Sequence, residues 1–291
     1  MKVFLVTIST ILFILDAFSY SLALDIDKKM PKGNVKNNNT YVCLIAKDGF
    51  SDWDDGCNGW NDSIEKDCDL FRKCCERTLR IPSNHIVYYD NASMADMVKC
   101  TDYLKNASDE RNGDINIILY VSGFGYRDTD DVYLRLSDRS DNCYLGLMWL
   151  YESIASIKAR QSICFVDVPR EYHYICDQMA LIKNDTADGQ TKKNHPVYIK
   201  AKEDVTKCQR NNNLIVFIST GVQEDSHDYR LQGGFARLMI NKIQETKGNL
   251  TLGELYESIS ILMKFEPPQT PTVVTYPDKN YNWKDLKLCN Q

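Results

Sequence analysis

Four short apolar runs, at residues 41–46, 115–121, 162–166 and 214–219, constrain this chain more than anything else in it. Each is apolar almost throughout rather than alternating with polar residues. That is the pattern of a strand covered on both faces, as strands are in a parallel sheet. The stretches between them carry a helical period instead. Ile64, Cys68, Phe71, Cys75 and Leu79 recur at helical spacing. Their helix is expected to begin near Asp62, with Glu65 as capping-box partner three residues on, and to stop at Pro82. A further strand is expected at 86–89, then a helix capped by Ser93 with Met97, Val98, Thr101 and Leu104 on one face. Residues 132–136 read as a hairpin arm. Segments 145–157, 171–182 and 234–243 read as helices, and another begins at Thr251 with Glu254 as its capping partner. Strand and helix alternate, which predicts an α/β fold with a mainly parallel central sheet flanked by helices on both faces.

The N-terminus has a different character. Met1 and Lys2 precede a mostly apolar run over residues 3–15, followed by the small residues Ala17, Ser19, Ser21 and Ala23. This is the layout of a secretory signal peptide, expected to occupy residues 1–23. The run is too short to cross roughly 30 Å of hydrocarbon as a helix, so a membrane anchor is disfavoured. Residues 24–40 are polar and read as a flexible lead-in to one domain over 41–291. Within that domain, residues 183–213 have little apolar content and read as an exposed linker.

Export has two further signs. Six Asn-x-Ser/Thr sequons, at Asn38, Asn61, Asn91, Asn106, Asn184 and Asn249, predict a glycoprotein. Eleven cysteines, an odd number, all follow the signal segment. Cys43 and Cys164 lie inside strand-like runs and read as buried, inert thiols. Cys57, Cys68, Cys74, Cys75, Cys100, Cys143, Cys176, Cys208 and Cys289 are the disulfide candidates in an oxidising compartment. No cysteine or histidine cluster has zinc spacing, so no metal or other cofactor is expected. A net charge of −5 without a basic cluster argues against a nucleic-acid partner. No later segment is apolar for long enough to predict a membrane span once the signal is removed.

Ligands in open α/β sheets bind beyond the carboxyl ends of the strands, so the strand ends carry the functional reading. Three stand out: Ser122-Gly123-Phe124-Gly125, Asp167-Val168-Pro169-Arg170, and Ser219-Thr220 leading on to Gly233-Gly234-Phe235. In order and spacing they resemble the caspase/metacaspase family of cysteine peptidases. There the first strand end reads Ser-Gly-His-Gly, whose His is the general base. The second reads Asp-x-Cys-Arg, whose Cys is the nucleophile. Asn61-Asp62, Asp90-Asn91-Ala92-Ser93, Tyr133-Leu134 with Asp138, and Gln269-Thr270-Pro271 also resemble that family's pattern. The resemblance spans roughly residues 41–275. It places the linker at 183–213 where the family divides its large and small parts.

Carried onto this chain residue by residue, the resemblance implies that both catalytic groups are missing. Phe124 stands at the general-base position and has no basic atom. Pro169 stands at the nucleophile position and has no nucleophilic one. Ser122, Gly123, Gly125, Asp167 and Arg170 remain as a vestigial cleft. Asp167 matches an acidic residue that helps metacaspases hold basic substrate side chains, and Phe124 and Pro169 would add an apolar anchor for a partner's loop. The expected function is therefore that of a secreted pseudoprotease binding an unknown protein or peptide as a decoy, inhibitor or regulator. The alternative is an active cysteine endopeptidase with a relocated dyad, for which Cys164 or the pair His173 and Cys176 would supply the groups, His227 reading as a pocket residue rather than a base. Cys164 would be buried for that role, and Cys176 is also a disulfide candidate.

Overall fold

A computed structural model of the chain describes residues 30–33, 35–47, 58–127, 132–136, 144–168, 212–221, 234–263, 270–276 and 280–289. The first half is built from β1 (Thr40–Lys47), α1 (Asn58–Arg77), β2 (Ile86–Tyr89), α2 (Met94–Glu110) and β3 (Asn116–Gly123). A small antiparallel sheet follows, made of β4 (Gly125–Arg127), β5 (Val132–Arg135) and β6 (Tyr144–Gly146). Then come α3 (Leu147–Ala155), β7 (Gln161–Asp167), β8 (Leu214–Ile218), α4 (Gly234–Glu245), α5 (Leu252–Leu262) and β9 (Thr272–Tyr276).

The central sheet has six strands in the order β2-β1-β3-β7-β8-β9. All pairs are parallel except β8 with β9. This is the α/β, mainly parallel architecture expected from the uninterrupted apolar runs. Those runs are continuous because both faces are covered. Val42, Leu44 and Ala46 enter one core with residues of α1, α4 and α5, while Tyr41, Cys43 and Ile45 enter a second core with residues of α2 and α3.

Registered positions form layers across the first face. Leu44 lies opposite Tyr120, Tyr120 opposite Phe165, and Phe165 opposite Phe217. The result is an aromatic row, with Phe165 and Phe217 centroids 5.2 Å apart and Phe71 of α1 set 5.0 Å from Tyr120 and 5.9 Å from Phe165. Offset and edge contacts of this kind contribute beyond the area they bury. The row ends on Trp283, whose ring meets Phe217 edge-on at 5.6 Å and Tyr256 at 5.8 Å.

Trp283 belongs to a C-terminal strap over residues 280–289. Gly253 N–H donates to Lys284 O, Leu252 N–H to Leu286 O, and Leu288 N–H to Leu250 O. Gln161 Nε2 donates to Lys287 O and so ties the strap to the amino end of β7.

Several boundaries differ from the sequence expectation. α1 begins at Asn58, before Asp62, and ends at Arg77, ahead of Pro82. The chain leaves the helix through Arg80, whose φ of 54° lies in the left-handed region. On α2 the buried face is Met97, Cys100, Leu104 and Ala107, whereas Val98 is exposed. Leu145 and Gly146, expected at the start of a helix, form β6, and the helix starts at Leu147. Strand β9 has no counterpart among the elements expected from the sequence. The described part of the expected flexible lead-in is held in place: Gly33 N–H donates to Arg77 O, Asn37 N–H to Arg80 O, and Thr78 Oγ1 to Pro31 O. Of the three expected caps, two form, as reciprocal boxes of Ser93 with Asp96 and Thr251 with Glu254, while Asp62 and Glu65 lie inside α1 rather than at its start.

Candidate functional site

The strand ends singled out in the sequence meet at the carboxyl edge of the sheet. Ser122 is the registered partner of both Ala46 on β1 and Asp167 on β7, so two of the quoted motifs end side by side on adjacent parallel strands. One residue beyond β8, Ser219 N–H donates to Val166 O and brings the third motif to the same edge. Ser122 and Asp167 fall on the first-core face, one layer above the aromatic row.

All three side chains are inside the protein: Ser122 and Ser219 are fully buried and Asp167 is 1% exposed. Phe124 is 2% exposed and packs as a member of the first core. The ring therefore does not line an open apolar anchor surface, as the sequence suggested; it fills the core beneath the edge. The reason is positional. Phe124 continues the face occupied by Ile118 and Tyr120, where a benzyl group is more stable packed than wetted.

The two glycines of the frame have a packing requirement of their own. A Cβ on Gly125 would stand 1.9 Å from the Tyr133 carbonyl oxygen and 2.7 Å from Val168 Cγ1. A Cβ on Gly123 would meet Leu134 Cδ1 at 2.9 Å and Lys47 Cβ at 3.0 Å. These contacts let the small sheet lie directly on the carboxyl edge of the large one, with Gly125 paired to Leu134. Pro169 and Arg170 lie outside the described residues, as do His173, Cys176, His227 and Gly233.

Lys47, not singled out from the sequence, also sits here. It is the registered partner of Gly123, is 7% exposed, and its Nζ donates to Asn91 Oδ1. Asn91 holds a left-handed φ of 46°, a conformation asparagine tolerates better than most residues, and Ala92 N–H donates to Ala46 O. The Asp90-Asn91-Ala92-Ser93 segment is thereby latched to the end of β1. A second unanticipated group is Asp67 on α1, 1% exposed. Burial lowers the pKa of Arg237 on α4, and the Asp67 charge opposes that shift. The sequence signal for both was a charged residue at the end of, or inside, an apolar pattern.

Among the described residues, no histidine stands at this edge. His85, the one described histidine, precedes β2 at the opposite, amino edge, where it stacks on Tyr41 at 4.2 Å. Cys164, weighed above as a substitute nucleophile, is fully buried in the second core, and burial pushes its thiol pKa far up, which keeps it protonated. Among the described residues no group of three or more histidine, cysteine or acidic side chains could hold a metal ion.

The cysteines depart from expectation. Cys74, Cys75, Cys100 and Cys289, read as disulfide candidates, are free and buried, as are Cys43 and Cys164, and Cys68, another candidate, is buried too. Burial raises the pKa of Cys74 and of Cys289 to about 12. Each of the five occupies an apolar core position, where cysteine packs as a small hydrophobe. Cys57, Cys143, Cys176 and Cys208 lie outside the described residues. Four sequon asparagines, Asn38, Asn91, Asn106 and Asn249, are exposed; Asn61 falls within α1 and Asn184 outside the described residues. No described helix is long and apolar enough to cross a membrane.

No protein-family model matches this chain. No curated protein matches it either. Among solved structures, the crystal structure of protein GSU0716 from Geobacter sulfurreducens is similar, with a TM-score of 0.53 at 17% identity, over 87% of this chain and 100% of that one. At that identity the likeness carries the fold alone. What this chain shares with that bacterial protein is an overall fold, which here is a mixed α/β architecture around a mainly parallel six-stranded sheet.

Proposed function

We propose that this chain is a secreted, caspase-like pseudoprotease that works by binding a protein or peptide, as a decoy, inhibitor or regulator, and does not hydrolyse peptide bonds. The observation that carries the reading is the fate of Phe124. At the position where the resemblance calls for a solvent-facing imidazole, the chain has a benzyl ring sealed in its core at 2% exposure. A general base has to reach the proton it removes, and a group packed there cannot. The neighbouring strand end supports the same reading. Asp167 is the registered partner of Ser122, and two residues on the sequence has Pro169 in place of a thiol. The exposed sequon asparagines are compatible with export, since a glycan needs solvent around its attachment point.

The test is a protease assay on the purified, glycosylated chain. It would be offered peptides with Arg, Lys or Asp before the scissile bond, with and without a thiol-blocking reagent. No turnover above buffer is expected. Cleavage abolished by the thiol blocker would falsify the reading and establish a relocated nucleophile.

A further inference from the structure

The C-terminal turn of α2 carries chemistry that the proposed function does not use. Asn112 and Gly113 are consecutive there. Such a pair can react with itself, the glycine nitrogen attacking the asparagine side-chain carbonyl, because glycine has no Cβ to hinder the approach. Asn112 N–H donates to Asp109 O at 3.2 Å and Gly113 N–H to Ser108 O at 2.8 Å. This is the paired closure of a left-handed helix C-cap, with φ 52° at Asn112 and 80° at Gly113. Asn112 is exposed and Gly113 is buried. Lys158 covers the glycine: a Cβ on Gly113 would stand 2.5 Å from Lys158 Cγ, 2.6 Å from Cδ and 2.9 Å from Cε. Its stem lies across the turn, and its Nζ donates to Asn112 Oδ1 at 3.3 Å. Ser108 closes the set, its Oγ donating to Lys158 O at 2.6 Å.

We propose that Asn112-Gly113 is a conformationally gated deamidation site, inert while this turn is closed and converted irreversibly once it opens. Two features hold it shut. The attacking atom, Gly113 N, is engaged to Ser108 O through the proton it must lose, and the Asn112 amide is tethered to Lys158 in the α3–β7 connection. Opening the turn releases both. Gly113 N then bonds to Asn112 Cγ, the Cγ–Nδ2 bond breaks, and Nδ2 leaves as ammonia with the proton from Gly113 N. Water opens the resulting cyclic imide at either carbonyl. Opening at Cγ gives aspartate. Opening at the main-chain carbonyl gives isoaspartate, in which the backbone runs through the former side chain.

The fold treats the two products differently. Aspartate keeps the backbone and offers Lys158 an oxygen in the place of Oδ1, so the turn can close again. Isoaspartate adds a carbon to the main chain between α2 and β3, and the two bonds of the cap cannot both be remade. The turn leads directly into β3, where Asn116 N–H donates to Asn39 O, so the altered bond lies close to the amino edge of the sheet. The pair thus keeps a covalent record of openings at the end of α2, whatever the chain binds.

The experiment is peptide mapping by mass spectrometry of the full chain, incubated at mildly alkaline pH in buffer and in urea. Isoaspartate is scored in the same digests with an isoaspartate-specific methyltransferase. In urea Asn112 is expected to convert alongside the chain's other Asn-Gly pair, Asn58-Gly59, whose reaction shows that the conditions suffice. In buffer, conversion at Asn112 is expected to be at least roughly tenfold slower, because the site reacts only while its turn is open. Lys158→Ala removes the stem and the ammonium, and conversion about threefold faster in buffer is expected, with no change in urea. Lys158→Arg keeps a stem and a donor and is expected to stay slow. Equal rates in buffer and urea overturn the proposal, as does an intact Asn112 in urea while Asn58 converts. Slower conversion of Lys158→Ala in buffer overturns it too, by making the lysine an activator of the amide carbonyl instead of a lock.

Discussion

At the scale of single residues, the proposed function turns on Phe124. It is among the largest fully buried side chains of the first core, on a face already filled by Tyr120, Phe165 and Phe217. Replacing it with alanine removes buried apolar area and leaves a cavity, so Phe124→Ala is expected to cost ~3–5 kcal/mol, read from the denaturant midpoint of unfolding. Phe124→His is the sharper variant. It puts an imidazole where the resemblance wants one, but in an apolar layer that disfavours its charge, so lower stability and no gain of peptidase activity are expected. Sequence alone placed Phe124 just past the end of a strand. It could not say which way the ring points, because a residue just past a strand end follows the pleat only if the chain does not turn first. The same ambiguity hid Lys47 and Asp67, whose burial depends on the partners Asn91 and Arg237 from distant elements.

At the scale of elements, local chemistry was readable wherever it was self-contained. The Ser93 and Thr251 caps use residues three apart and need nothing from the rest of the fold. The Ser93 box is reinforced by Lys99 and then by Ser93 itself, which hold the Asp96 carboxyl down to about 2. Ser93→Ala removes the cap and the hydroxyl bond to Asp96, and ~1 kcal/mol of stability is expected to go with it in thermal unfolding. Elements defined by partners were not readable. β9 is a run of β-branched residues, Thr272 to Thr275, whose strand identity comes from antiparallel pairing with β8. β6 looked like the first turn of a helix until Tyr144 and Leu145 found β5.

The turn into β2 supplies a pH dependence. Burial holds the His85 pKa below its usual value, the Arg111 charge adds to this, and a hydrogen bond with the Thr40 backbone opposes it. Because the folded-state value is the lower one, the unfolded chain binds the proton more readily. This contribution is present above about pH 6.5 and is lost as pH falls through the folded value. Thermal unfolding is expected to move to lower temperature on acidification from about pH 7 to about pH 5, and the His85→Gln variant should show a smaller shift.

At the scale of the whole molecule, the fold class followed from the continuous apolar runs, since a strand buried on both faces has few other settings. Strand order did not, because the register of Cys43 with Leu119, or of Phe165 with Phe217, depends on which runs become neighbours. The C-terminal strap was also invisible, being polar and short, although Trp283 completes the aromatic row and Leu288 enters the first core. Deleting residues 280–291 is expected to cost at least about 3 kcal/mol, because it strips an aromatic partner from Phe217 and Tyr256 and uncovers the amino end of β7. The fall would be read as a lower denaturant midpoint against the full chain.

The neighbour relation of β7 and β8 has a consequence for how the chain is made. A ribosome releases β1, β2, β3 and β7 in succession, and these can pair as they emerge, because they are adjacent in the finished sheet. Then β7 waits. Its outer edge, apolar on both faces, has no partner until residues 168–213 have been synthesised and Leu214–Ile218 arrives to pair with it. For that interval the nascent chain carries an open strand edge of the kind that recruits other chains, and holdase chaperones would find their substrate there. The two halves of this sheet are thus separated in time as well as in sequence, and the seam between them is the point at which synthesis can outrun folding.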